Sequence, residues 1–189
     1  EQAENWDWLA RQIRRAGRPI KVLNLFAYTG ATTLALAACG SEVVHVDAAS
    51  NVLHWARRNA HLSGLAEATI RWISGDAQKF VRRELRRGNC YEAVVLDPPS
   101  YGHGPRGGTW RIDRDLFPML RFCRELSGGR PLFVLLTCHS PRFGPQDLRS
   151  MLTQSGFGKG TRRIVARPLN LRTRDGRKLP SGIVARWPE

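Results

Sequence analysis

Apolar residues fall along this chain in two alternating rhythms, short β-branched runs and longer stretches with an apolar position every third or fourth residue. Trp6, Leu9 and Ile13 share one helical face, so the spacing predicts a helix over 5–16 that Gly17 ends. The run at 21–26 reads as a buried strand. It meets the turn Tyr28-Thr29-Gly30 and a helix of small residues at 31–39, closed by Gly40. A second strand at 42–46 runs into Asp47, Ser50 is placed to cap a helix through His61, and Gly64 stops it. Strand three is predicted at 69–73, a helix at 78–87 and strand four at 91–96. A glycine-rich loop at 100–108 then leads to a helix at about 113–126. Strand five at 131–137 precedes a helix at 146–154. Past Gly156 the rhythm changes: 162–166 and 183–187 read as strands joined by a long basic loop, and they should pair antiparallel.

Strands alternating with helices predict an α/β fold, Rossmann-like and doubly wound. Its sheet should be seven-stranded and mostly parallel, with an antiparallel C-terminal strand. A length of 189 residues fits one domain over 1–189. The first residue is Glu1 rather than methionine, as expected of the C-terminal part of a longer protein. No internal repeat, signal-peptide pattern or apolar run of roughly 18–20 residues is present, so no membrane association is expected.

Charge narrows the partner. The chain carries 30 Lys+Arg against 16 Asp+Glu, a net +14. Arginine dominates, and its planar fork suits phosphate, so a polyanion such as nucleic acid is the expected partner, with a merely solvating surface as the alternative. The densest stretch is Lys159, Arg162, Arg163, Arg167, Arg172, Arg174, Arg177 and Lys178, opposed only by Asp175. Arg82, Arg83, Arg86 and Arg87 on one helix read as its solvent face. Cys39, Cys90, Cys123 and Cys138 form no C-x-x-C pair, which points to a reducing, cytoplasmic setting and to neither a disulfide framework nor a metal site.

Candidate chemistry gathers where strands end, since carboxyl ends of parallel strands build the site. The single glycine of the first loop excludes the G-x-G-x-x-G of hydride-transfer enzymes, yet a tight turn into small residues lets backbone N–H groups approach a ligand. Asp47 could accept both hydroxyls of a ribose, or cap the next helix. Asp76, in Gly75-Asp76-Ala77, could face an adenine amine, or equally be a cap. Strand four delivers Asp97-Pro98-Pro99.

Val22-Leu23-Asn24-Leu25-Phe26-Ala27-Tyr28-Thr29-Gly30, His45-Val46-Asp47-Ala48-Ala49-Ser50, Gly75-Asp76-Ala77 and Leu96-Asp97-Pro98-Pro99-Ser100-Tyr101, in that order, resemble the motifs of class I S-adenosylmethionine-dependent methyltransferases. More narrowly they resemble the bacterial large-subunit ribosomal RNA branch that makes 5-methylcytosine or 7-methylguanine. The resemblance covers about residues 1–156. It implies S-adenosyl-L-methionine as cofactor. Asn24, Phe26, Ala27, Tyr28, Thr29 and Gly30 would lie at its methionine part, Asp47 with Ala48 and Ser50 at the ribose, Asp76 and Ala77 at the adenine, and Asp97 with Pro98 at the methyl side. Pro99, Tyr101 and Trp110 are the expected substrate side, where an aromatic could stack on a splayed base, although Trp110 could equally be a packing residue. Ser100 stands where enzymes acting on exocyclic amines usually carry an aromatic, which disfavours that reaction.

Asp97 and Cys138 are the candidate catalytic residues. Methylation of cytosine C5 needs a thiolate added at C6, and Cys138 closes strand five beside Asp97. Its setting, Thr137-Cys138-His139-Ser140, differs from the Ser-Cys-Ser of the cytosine branch. Nucleophile and buried core residue both stay open here. Guanine N7 needs no nucleophile, only orientation. The sequence thus predicts methyl transfer to RNA, most simply ribosomal RNA. A methyltransferase acting on a small molecule or protein, and a non-catalytic RNA-binding module, are the alternatives.

Overall fold

A computed structural model of the chain describes residues 1–104, 108–158 and 163–189. Its elements in order are α1 (Ala3–Ala16), β1 (Lys21–Leu25), α2 (Ala31–Ala38), β2 (Glu42–Asp47), α3 (Ser50–Leu62), β3 (Ile70–Ser74), α4 (Ala77–Arg86), β4 (Ala93–Leu96), β5 (Tyr101–His103), β6 (Thr109–Arg111), α5 (Ile112–Leu126), β7 (Phe133–Cys138), α6 (Pro145–Gln154), β8 (Val165–Arg172) and β9 (Lys178–Trp187). A seven-stranded sheet runs β3-β2-β1-β4-β7-β9-β8, and β9 is antiparallel to both its neighbours. This is the Rossmann-like α/β arrangement that the alternating pattern predicts.

The central strands are apolar throughout because both faces of the sheet are covered. The two-residue period of a strand sorts them cleanly. Leu23, Leu25, Val44, Val46, Val94, Leu96, Val134 and Leu136 face Phe80 of α4, Leu116 and Leu120 of α5, and Leu148 and Leu152 of α6. Val22, Val43, Ala93, Val95, Phe133 and Leu135 face Trp8, Leu9 and Ile13 of α1 and Leu36 of α2. At the start of β4, Tyr91 and Asn89 donate to the buried Glu84 carboxylate at 2.7 and 2.8 Å, tying α4 to the sheet. No helix among the described residues is long and apolar enough to cross a membrane.

Three local expectations are revised. Ser50 does not cap α3: the cap is Ala49, with no side-chain bond, and the Asp47 carboxylate accepts the Ala49 N–H instead at 3.0 Å. The glycine-rich loop contains a two-stranded ribbon, β5 paired with β6, too short and polar for alternation to show it; residues 105–107 lie outside the description. The basic loop near the C-terminus is mostly strand. β8 and β9 run to Arg172 and from Lys178, leaving a tight turn in which Thr173 N–H donates to Arg177 O at 3.0 Å. Edge pairing supplies the backbone bonds here, so a largely exposed, charged sequence is tolerated, and Pro168 is acceptable on edge strand β8. Lys159 and Arg162 of the basic stretch lie outside the described residues, as does the start of the predicted 162–166 strand.

Beneath the first loop sits a buried polar trio. Asn24 Nδ2 donates to Thr33 Oγ1, and Thr33 Oγ1 meets His45 Nδ1, each at 2.9 Å. Burial lowers the His45 pKa to about 4 from an ordinary 6.5. Between those values the unfolded chain binds a proton that the folded chain refuses, so stability falls as pH drops through that window, by up to about 3 kcal/mol. Denaturant unfolding at pH 7 and pH 4.5 should show this loss, and His45→Gln should flatten it. Identical pH slopes for the two proteins would refute the assignment.

Candidate active site

The carboxyl ends of β1, β2 and β4 and the start of α4 enclose a cleft of about 450 Å³, bordered by Phe26, Tyr28, Asp47, Asp76, Asp97 and His139. That is the size range of small-molecule sites. Phe26, Tyr28 and Asp97 also border a smaller lobe of about 110 Å³, together with Asn24, Thr29, Gly30 and Thr137.

The first loop is strained and held. Phe26 and Tyr28 have φ of 56° and 46° without being glycine, which costs about 1–2 kcal/mol per residue. Ala27 N–H donates to Val46 O at 3.1 Å, Tyr28 N–H to Asp47 Oδ2 at 2.8 Å and Gly30 N–H to Ala27 O at 3.0 Å. The Phe26 ring rests against Trp110, centroids 4.8 Å apart. Gly30, with φ of 87°, turns the chain into α2, and a Cβ there would sit 3.2 Å from the Ala56 side chain. Only glycine suits both the conformation and the contact. Asn24 is almost wholly buried, its amide nitrogen spent on Thr33.

Three carboxylates are fixed in the same cleft. Asp47 is oriented by the Tyr28 and Ala49 N–H groups, one on each oxygen. Asp76 does cap α4, accepting from Lys79 N at 2.8 Å through Oδ1. Its Oδ2 faces the glycine-rich loop so closely that a Cβ on Gly104 would lie 2.7 Å away. Asp97 Oδ1 accepts from Thr137 Oγ1 at 2.5 Å and lies 3.3 Å from His139 Nε2. His139 Nδ1 meets Ser181 O at 2.5 Å. Acceptors on both ring nitrogens favour the imidazolium, and the Asp97 hydrogen bond raises the His139 pKa against the opposing effect of burial.

His139 and Thr137 carry no role in the sequence reading, although their signal was present. β4 pairs β7 with Leu96 opposite Leu136, which sets Asp97 beside Thr137. The same alternation turns Cys138 to the opposite face, into the α5–α6 core, with no exposed surface. Burial pushes its thiol pKa up and the Asp97 charge adds to this, against one backbone hydrogen bond from Ser140. That environment does not support a thiolate at Cys138.

Ala48, Ala77, Pro98 and Pro99 border the main cleft, and Ala27 and Thr29 the smaller lobe. Ser50 borders neither and is exposed on the first turn of α3. Trp110 is 8% exposed, and its Nε1–H donates to Pro99 O at 2.7 Å. It fastens the β5–β6 ribbon to the first loop through Phe26 and borders the main cleft. Tyr101 is exposed and sits edge-on to His103 outside the lining. Arg82, expected on a solvent face, borders the cleft.

Comparison with known proteins agrees with this geometry. Residues 5–156 match the family model described as S-adenosylmethionine-dependent methyltransferase. Ribosomal RNA large subunit methyltransferase I of Aeromonas hydrophila is 39% identical over 120 residues, which cover 62% of this chain and 29% of that protein. Ribosomal RNA large subunit methyltransferase K/L of Methylococcus capsulatus is 34% identical over 111 residues, covering 58% of this chain and 15% of that protein. The chain therefore spans less than a third of either relative's length. A crystal structure of a SAM-dependent methyltransferase from Agrobacterium tumefaciens aligns with a TM-score of 0.93 and 39% identity, over 99% of this chain and 61% of that one. With the family match extending from α1 to the end of α6, the chain belongs to the S-adenosylmethionine-dependent methyltransferases.

Proposed function

We propose that this chain transfers a methyl group from S-adenosyl-L-methionine to a base of RNA, with ribosomal RNA as the substrate that its relatives' names indicate. The observation that carries the proposal is the meeting of Asp47, Asp76 and Asp97 with a strained first loop around one ligand-sized cleft. The residues present fit the cofactor: carboxylates for hydroxyl and amine donors, and a backbone loop bordering a second, narrower lobe. When bound, the cofactor supplies an electrophilic methyl on a sulfonium.

The chain's own contribution is placement and charge. Asn24, Phe26, Ala27, Tyr28, Thr29 and Gly30 would border the methionine part, and Asp47 with Ala48 would take the ribose. Asp76, with Ala77, would meet the adenine. Asp97 and Pro98 would stand at the methyl side, and Thr137 and His139 hold the Asp97 carboxylate in one orientation. Pro99 on the rim and the exposed Tyr101 nearby are the surfaces left for a base. The core position of Cys138 favours an acceptor that brings its own lone pair, such as a ring nitrogen, over a carbon that needs a covalent adduct. The net charge of +14 favours RNA over a small molecule or protein as acceptor. Four unpaired cysteines suit a reducing, cytoplasmic setting.

Calorimetric titration with S-adenosyl-L-methionine should show micromolar-range binding. Asp47→Ala should weaken it by roughly 10- to 100-fold, the value of a charge-assisted bond at about 1.5–3 kcal/mol. A folded wild-type chain that takes up no cofactor would end the catalytic reading.

Cys138→Ala should keep methyl transfer to ribosomal RNA within about threefold of wild type, since a core thiol acts only through packing. Loss of the reaction by several orders of magnitude, with cofactor binding intact, would instead make Cys138 the nucleophile.

A further inference from the structure

The two C-terminal strands outrun the sheet they close. β7 stops at Cys138, opposite Ile183 of β9, while β8 and β9 stay paired beyond it through Leu169↔Gly182, Asn170↔Pro180, Leu171↔Leu179 and Arg172↔Lys178. At about 3.3 Å per residue the ribbon projects roughly 15 Å past the end of β7. The direction matters. β7 is parallel to β4 and β1, whose carboxyl ends carry the site, so the free end of the ribbon rises on the side where the cleft lies.

Leu169, in the first pair beyond β7, still packs in the core, and from Leu171 outward the described side chains of the ribbon are exposed. Residues 173–180 are exposed on every side chain. The cations there are Arg174, Arg177 and Lys178, and the single acid, Asp175, is already paired with Arg177 at 2.8 Å. Leu171 and Leu179 face each other across the ribbon at 39% and 57% exposure, an apolar pair among charges. A surface of cations with a small apolar step matches a polymer of phosphates and bases, since phosphate contacts fix position while bases offer apolar faces.

The base of the ribbon is joined to the site. Ser181 O receives His139 Nδ1, and His139 Nε2 reaches Asp97. Gly182 makes that approach possible: a Cβ would fall 2.6 Å from Cys138 O and 2.9 Å from His139 Nδ1. We propose that the β8–β9 ribbon is the arm that grips RNA phosphates beside the target base, and that the Ser181–His139–Asp97 contacts fix its angle to the cleft. This rests on the RNA-methyltransferase reading above and adds where the strand lies: along the ribbon, entering past His139.

The test is binding of deproteinised bacterial large-subunit ribosomal RNA across a salt series, for the full chain and for a triple variant, Arg174→Ala with Arg177→Ala and Lys178→Ala. The variant should bind RNA roughly tenfold or more weakly at low salt, and the slope of log K against log salt should shrink by about 2, near 0.7 per lost cation on a single strand. Its affinity for S-adenosyl-L-methionine, measured by calorimetry, should be unchanged, which shows that fold and cofactor site stand. Equal RNA affinity and an unchanged slope in that variant would overturn the arm and leave the methyltransferase reading intact. A wild-type chain that neither binds nor methylates this RNA would overturn the reading beneath it, and the arm with it.

Discussion

A backbone that turns left-handed twice within three residues has to be held from outside, and at Phe26 and Tyr28 the holder is Asp47 together with the end of β2. One carboxylate oxygen takes the Tyr28 N–H and the other the Ala49 N–H, so a single side chain joins the first loop to the start of α3. The strain, of order a kilocalorie per residue, is small beside what the flanking strands gain by burial. Parallel pairing of β1 with β2 brings Asp47 within reach, and the buried Asn24–Thr33–His45 trio supports the loop from below. The same pairing that makes the core thus poses the first loop.

Strand alternation settles the second question of the site. Consecutive residues at the end of β7 face opposite ways, so Thr137 reaches Asp97 while Cys138 enters the core. A cysteine beside an aspartate in strand order can therefore stay near it and still face the core, away from the cleft. His139, past the last strand residue, is free to swing back to Asp97 and is braced there by the β9 backbone. The resulting group couples the C-terminal ribbon to the cleft without any residue of the first loop.

Much of the fold was legible. Buried parallel strands are continuous apolar runs, helices show their stripe, and glycines mark the ends, so elements from α1 to α6 fall within a few residues of where the pattern puts them. The site's acids were legible as well, because each closes a strand or opens a helix. What escaped was structure stabilised by pairing rather than by burial. β5 and β6 are three residues each, and the outer ends of β8 and β9 are exposed with Leu171 and Leu179 an isolated apolar pair, so the hydrophobic rhythm there is too short to announce a strand. Trp110, an aromatic in a loop-like sequence, anchors the ribbon and borders the cleft at once, which the pattern alone does not show.

The chain alone determined the order of elements, the layered α/β class and the carboxylates at strand ends, because these follow from local periodicity and from the chirality of strand–helix–strand connections. It determined the basic character of the C-terminal segment too. Only the tertiary structure decided which neighbours Asp97 has, that Cys138 is core, and that the basic segment is a projecting ribbon on the side of the cleft. Those outcomes depend on register and on which face a side chain takes, and a one-residue change in either would reverse them while leaving the sequence pattern the same.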